Sequence, residues 1–239
     1  MRKKLLLVNC YREKADEKIG SYHVWLKAGA NAAGMELDVH EMNDRDAFPA
    51  AGEFSALVIS GSQKMVGDNE TEPGLLEFLK GCRRPLLGIC YGHQLIAYAL
   101  GGEVGPNPRG RESGTVEIML RDEARADPLF AALPATFRAH ASHAQSVLRL
   151  PPGATWLGFN SHDPHHAYTV GRSTWCVQFP PEFDELAMRT YIDVCADELR
   201  VQGDDPAQLR ALIAGTPHAE ELLRRFAEQT HGNGQDLVR

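Results

Sequence analysis

The sequence predicts an α/β fold: a mainly parallel sheet flanked by helices on both faces, with an antiparallel β extension. Two observations predict it. In the first hundred residues, short apolar runs alternate with segments of helical periodicity, as in a parallel sheet buried on both faces. From Gly114 to Phe179 the chain changes to short β-like pieces separated by turn signals, as in antiparallel strands added to one side of that sheet. A length of 239 residues suits one domain, 1–239, and no internal repeat, low-complexity linker or second-domain boundary interrupts it. The core is expected over about 3–200, with C-terminal helices over 206–230.

Leu5 to Val8 reads as a buried first strand. Although Arg2-Lys3-Lys4 precedes it, the apolar run is too short for a signal peptide, and Asn9-Cys10-Tyr11-Arg12 breaks it without a small-residue cleavage site. Ile19, Tyr22, Leu26, Ala30 and Ala33 share one face of a helix that Gly34 can stop. Short strands follow at Leu37 to His40 and Ala56 to Ile59, the latter ending in Ser60-Gly61-Ser62. Pro73 to Cys82 is a helix, Pro85 to Ile89 a strand, and Tyr91 to Leu100 a helix ended by Gly101-Gly102. The β-like pieces are Thr115 to Leu120, Phe137 to His140, Ser146 to Leu150, Thr155 to Asn160, Ala167 to Val170 and Trp175 to Phe179. Pro151-Pro152-Gly153 and Val170-Gly171 mark turns between them. Helix returns over Asp184 to Leu199, Pro206 to Ala214 and Pro217 to Gln229, the last two with proline in the first turn. The polar tail His231 to Arg239 is expected to fray.

A formal net charge of −7 argues against nucleic acid as the main partner. Five scattered cysteines suit a reducing compartment, and the expected location is the cytoplasm. No apolar run approaches the length that crosses a membrane. A Gly-x₄-Gly-Lys-[Ser/Thr] phosphate loop is absent, as is an ATP-pyrophosphatase motif such as Ser-Gly-Gly-x-Asp-Ser. No cofactor is expected. His162, Asp163, His165 and His166 invite a metal reading, but Pro164 interrupts any helical spacing and no cysteine joins them, so no metal is expected either. Pro108-Arg109-Gly110-Arg111-Glu112 reads as a solvated loop that can contact an anionic substrate.

The chemistry concentrates at Gly88-Ile89-Cys90-Tyr91-Gly92-His93-Gln94. An apolar strand must turn abruptly into a helix with Cys90 at the apex, and flanking glycines admit backbone where a Cβ would clash. The helix N-terminus favours a thiolate, and its free N–H groups can hold an oxyanion. The bland alternative is a small buried core cysteine.

Pro85 to Ala97, followed by Gly101-Gly102, resembles the class I (triad-type) glutamine amidotransferase family, and within it stand-alone GMP-synthase-like amidotransferase domains. Val58-Ile59-Ser60-Gly61-Ser62 resembles the family's oxyanion loop. Ser142-His143-Ala144-Gln145-Ser146-Val147 resembles its Ser-His-x-Asp-x-Val segment, with Gln145 where Asp is common. Val177 to Phe183 resembles Val-Gln-Phe-His-Pro-Glu-Phe. The resemblance implies a flavodoxin-like fold with the site at the C-terminal ends of the parallel strands. It also implies roles. Cys90 attacks the side-chain amide of glutamine and forms a thioester, and the N–H groups of Tyr91 and of Ser62 in the Gly61-Ser62 loop hold the oxyanion. Gln94 helps hold the amino-acid end, and Glu182 orients the catalytic histidine.

That histidine maps to Pro180, which has neither a titratable group nor an N–H. A free thiol near pKa ~8.5 is only a few per cent ionised at pH 7, and losing a positioned acid–base group costs ~10²–10⁴ in rate. Three readings stand. Another histidine substitutes, with His165 and His166 ahead of His140, His143 and His162, though each is ordinarily exposed or structural. Alternatively, Cys90 and Glu182 act alone on glutamine or a related γ-glutamyl, amide or thioester molecule, Glu182 serving as a base if burial raises its pKa. Or the protein is a catalytically silent ligand- or partner-binding module of the same fold. Ammonia released for biosynthesis needs a separate synthetase chain to accept it.

Overall fold

The protein is described here by a computed structural model covering residues 4–10, 35–41, 48–50, 52–67 and 73–232. The helix expected from Ile19 to Ala33 and the tail beyond residue 232 lie outside the described residues. Five strands form the parallel part: β1 (Lys4–Asn9), β2 (Glu36–Glu41), β3 (Ala56–Ile59), β4 (Leu86–Ile89) and, late in the chain, β11 (Thr174–Val177). Between them run α1 (Pro73–Gly81) and α2 (Tyr91–Ala99). The extension comprises β5 (Glu103–Pro106), β6 (Glu112–Leu120), a 3₁₀ turn at Asp122–Ala126, β7 (Thr136–His143), β8 (Gln145–Arg149), β9 (Ala154–Phe159) and β10 (Ala167–Val170). The chain ends in α3 (Glu185–Val194), α4 (Ala196–Val201), α5 (Pro206–Ala211) and α6 (Pro217–Gly232).

The main sheet has the order β2-β1-β3-β4-β11-β10-β9-β6-β7. Pairing is parallel from β2 to β11 and antiparallel from β11 to β7. Strand β11 is therefore the seam: parallel to β4 on one side and the partner of β10 in a hairpin on the other. The last antiparallel strand of the sequence thus returns into the parallel sheet, directly beside the elbow strand.

The apolar runs make two cores because successive strand residues face opposite ways. Leu5 and Leu7 join Val58, Leu87 and Val177 with Leu222 and Phe226 of α6. Leu6 and Val8 join Leu57, Ile59 and Cys176 with Leu75 of α1 and Leu95 of α2. A third cluster, Phe183, Met188, Ile192, Leu199 and Ile213, holds the C-terminal helices together.

Three local details depart from the sequence reading. Strand β5 pairs with β8 in a separate two-stranded sheet; Gly105 and Pro106 had hidden it. Strand β6 begins at Glu112, so the loop expected through that residue is partly strand. The helix expected over Asp184 to Leu199 breaks at Cys195 into α3 and α4. Its start is as expected: the Asp184 carboxylate accepts the Ala187 N–H at 2.7 Å, a helix N-cap.

Candidate active site

Cys90 sits between β4 and α2 with φ 50° and ψ −103°, the one non-glycine residue of positive φ among the described residues. Such a conformation costs ~1–3 kcal/mol and persists only where the surroundings enforce it. They do so here: Cys90 N–H donates to Val177 O (2.9 Å), Gly92 N–H to Ser60 O (3.2 Å) and Gln94 N–H to Cys90 O (3.1 Å). Strands β3 and β11 thus clamp the turn from both sides. The glycines are required by close approach. A Cβ on Gly92 would lie 2.4 Å from Ile59 O, and one on Gly88 would lie 2.8 Å from Gly92 O. Gly92→Ala must displace backbone of β3. We expect it to destabilise the fold by ~1–3 kcal/mol or more, read as a lowered urea midpoint; an unchanged midpoint would mean that the elbow is plastic.

The Cys90 thiol is pushed up to about 12, first by burial and then by the charge of Glu182; the Tyr91 N–H, Arg111 and Gln178 oppose this. Gln178 Nε2 donates to Cys90 Sγ at 3.6 Å, and Gln178 Oε1 accepts from Gln94 Nε2 at 3.0 Å. Gln94 Nε2 also donates to Gln145 O at 2.8 Å. Both amide donors of Gln94 are therefore committed inside the protein, where they fix the orientation of Gln178 toward the sulfur. Glu182 is buried, and neither carboxylate oxygen has a hydrogen-bond partner. Burial pushes this carboxyl up to about 8. Pro180 is buried too, and its carbonyl accepts the Phe183 N–H at 3.2 Å, closing the turn that carries Glu182.

The oxyanion-loop residues lie beside the nucleophile. Ser60 Oγ donates to Gly61 O (2.8 Å), Ser62 Oγ to Cys10 O (2.8 Å), and Ser62 Oγ accepts the Lys64 N–H (3.1 Å). Gln145 pins this loop to β8: its Oε1 accepts the Val66 N–H at 2.8 Å and its Nε2 donates to Val66 O at 3.1 Å. A glutamine here forms both bonds with the Val66 backbone, whereas an ionised aspartate only accepts.

The proposed substitute bases are placed elsewhere. His165 Nδ1 lies 2.6 Å from Val147 O, with its ring against Trp156. His166 Nε2 lies 2.8 Å from Glu112 Oε2. Neither lines the cavity above Cys90, whereas His143 does. His143 Nε2 meets the same Glu112 oxygen at 2.9 Å, and its Nδ1 lies 2.9 Å from Gln145 O. His140 is buried with Nδ1 3.3 Å from Thr115 Oγ1, and burial pulls it down to about 4. His162 Nε2 lies 3.0 Å from Gly110 O.

Glu112, His143 and His166 form a cluster that the sequence did not reveal, and it is the one group among the described residues spaced to hold a metal ion. Both Nε2 atoms already face Glu112 Oε2, and Asn160 Nδ2 donates to Oε1 at 2.6 Å. Burial pushes the Glu112 carboxyl up, but the hydrogen bonds from both histidines outweigh it and hold it far below the usual range. The arrangement is that of a carboxylate satisfied by its neighbours. It locks β6 to β7 and to the start of β10, behind the cavity wall.

A cavity of about 220 Å³ opens above Cys90. Loop residues 62–65 form one part of its wall, and Arg111 with the 142–145 turn another. The C-terminal helices add Tyr191, Cys195 and Glu198.

The family model "Glutamine amidotransferase class-I" matches residues 17–192. The chain belongs to the class I glutamine amidotransferase family. One component of a GMP synthase (glutamine-hydrolyzing) from Ignicoccus hospitalis, a separate synthase subunit, is 33% identical over 183 residues, covering 74% of this chain and 94% of the relative. A GMP synthase (glutamine-hydrolyzing) from Thermotoga maritima is 37% identical over 128 residues, 53% of this chain but 24% of the relative, so the chain spans only about a quarter of such longer synthases. The fold matches a glutamine amidotransferase from Thermotoga maritima with TM-score 0.79 at 20% identity, covering 98% of this chain and 100% of the other. A glutamine amidotransferase from Methylobacillus flagellatus gives 0.74 at 23%, covering 100% and 96%. Among the described residues, no helix is long and apolar enough to cross a membrane.

Proposed function

We propose that this amidotransferase works with Cys90 as nucleophile and Glu182 as its acid–base group, without a histidine. The observation that carries the reading is the buried, unpartnered Glu182 carboxyl, raised to about 8, whose charge acts on Cys90. In the reaction, Cys90 Sγ attacks the acyl carbon of glutamine or a related γ-glutamyl, amide or thioester molecule. The thiol proton passes to Glu182 and from there to the departing amine or thiol, leaving a thioester that water cleaves. The N–H groups of Tyr91 and Ser62 face the developing oxyanion. A thiol near 12 and a carboxyl near 8 make ionising Cys90 uphill. Slow amide cleavage follows, as does a preference for better leaving groups. Because the Ignicoccus relative is one component of a synthase, ammonia from glutamine would pass to a separate synthetase chain. His165 and His166 are second-choice bases, since each is engaged elsewhere.

The second reading, a binding module without turnover, is favoured by the same high thiol value and by Pro180. An electrophilic diazoketone analogue of glutamine separates the two. Mass spectrometry should find one adduct on Cys90 and none in Cys90→Ala, with slow Cys90-dependent release of ammonia or thiol. A wild-type protein that neither forms the adduct nor turns over sinks the enzyme reading.

A further inference from the structure

The family's matched region ends at residue 192, yet the cavity wall does not. Cys195 and Glu198 line it from α4, and Gln202 follows at the end of that helix. Arg111 links this wall to the family core. Its Nε donates to Gln202 Oε1 at 2.8 Å. Its terminal nitrogen stands 4.0 Å from Glu198 Oε2, too long for a hydrogen bond. The Arg111 side chain is only 12% exposed while that of Glu198 is 70% exposed, so a cation lies inside the cavity and an anion at its rim. The field of Arg111 reaches the thiols of both Cys90 and Cys195.

The resemblance assigns the substrate's amino-acid end to Gln94, but both donors of that amide are committed to Gln145 and Gln178. The charged ends of a ligand must therefore be met by other groups. We infer that Arg111 and Glu198 form the specificity clamp of this cavity, Arg111 taking the α-carboxylate and Glu198 the α-ammonium of a free amino acid. A zwitterion fills the gap between the two side chains and pairs each with its opposite charge, where they now meet only loosely. At about 220 Å³ the cavity lies below the ~300–1,000 Å³ of drug-sized sites, which favours an amino acid over a nucleotide. The clamp rests on the Cys90 reading only for which end of the ligand points inward.

Calorimetry with the Cys90→Ala protein isolates binding from chemistry. L-Glutamine is expected to bind, with its α-carboxamide derivative and 4-carbamoylbutanoate, which lacks the amine, each about tenfold weaker or worse. Arg111→Gln should weaken glutamine by a similar factor and no longer distinguish it from the carboxamide. Glu198→Gln should do the same for the amine. Lys64 also lines the cavity, so Lys64→Gln is the control. The clamp is overturned if glutamine does not bind, if all three ligands bind alike, or if Lys64→Gln rather than Arg111→Gln removes the carboxylate preference. Failure of the diazoketone adduct with the clamp intact would instead sink the nucleophile reading.

Discussion

Pro180→His is expected to raise glutamine turnover by about 10²–10⁴ over wild type, the usual worth of one positioned acid–base group. The structure holds a place for that gain. Cys90 N–H is bonded to Val177 O, so the end of β11 lies against the elbow, and the chain reaches position 180 three residues later. The Phe183 N–H bond to the residue-180 carbonyl does not depend on the side chain, so the turn survives the exchange. Glu182, whose oxygens have no partner, gains an imidazole N–H to accept. That pairing should return the carboxylate to its ionised form and leave the other ring nitrogen to take the Cys90 proton. Ammonia and glutamate release, measured beside Pro180→His combined with Cys90→Ala and with Glu182→Gln, checks it. Both double variants should lose the gain. A folded Pro180→His protein with no increase would mean that the cavity no longer seats glutamine for attack.

How much of this was legible in the sequence depends on how far apart the partners lie. The elbow was readable because its constraints are local: Gly88 and Gly92 border Cys90, and the close contacts they allow follow from the turn itself. The parallel strands were readable as apolar runs, and the β10–β11 hairpin from Val170-Gly171. Strand β5 was lost because Gly105 and Pro106 argue against a strand, and pairing with β8 overrides them. The break at Cys195 has no glycine or proline to announce it. The Glu112–His143 contact is a register partnership of β6 and β7, and His166 joins from 54 residues beyond Glu112. No spacing rule connects such positions. For the same reason Arg111 reads as a loop cation until α4 is folded over it.

The second large effect concerns stability. Glu182 is raised from 4.5 to about 8 by burial. Its folded form therefore holds a proton that the unfolded chain gives up, and the sign of the linkage follows. The contribution is fully present below about pH 4.5 and falls as pH rises toward 8. It is gone once the folded carboxyl ionises. At ~1.4 kcal/mol per unit, the loss is on the order of 5 kcal/mol by pH 9. Glutamine has nearly the same shape and cannot ionise. Glu182→Gln should therefore match wild type near pH 5 and exceed it by several kcal/mol at pH 9, measured by urea unfolding at both values. Parallel pH profiles for the two proteins would mean that the carboxyl is already ionised in the fold, and the acid–base assignment would fall with it. The same ionisation should appear in chemistry: alkylation of Cys90 in wild type rises with pH through about 8, and Glu182→Gln removes that inflection.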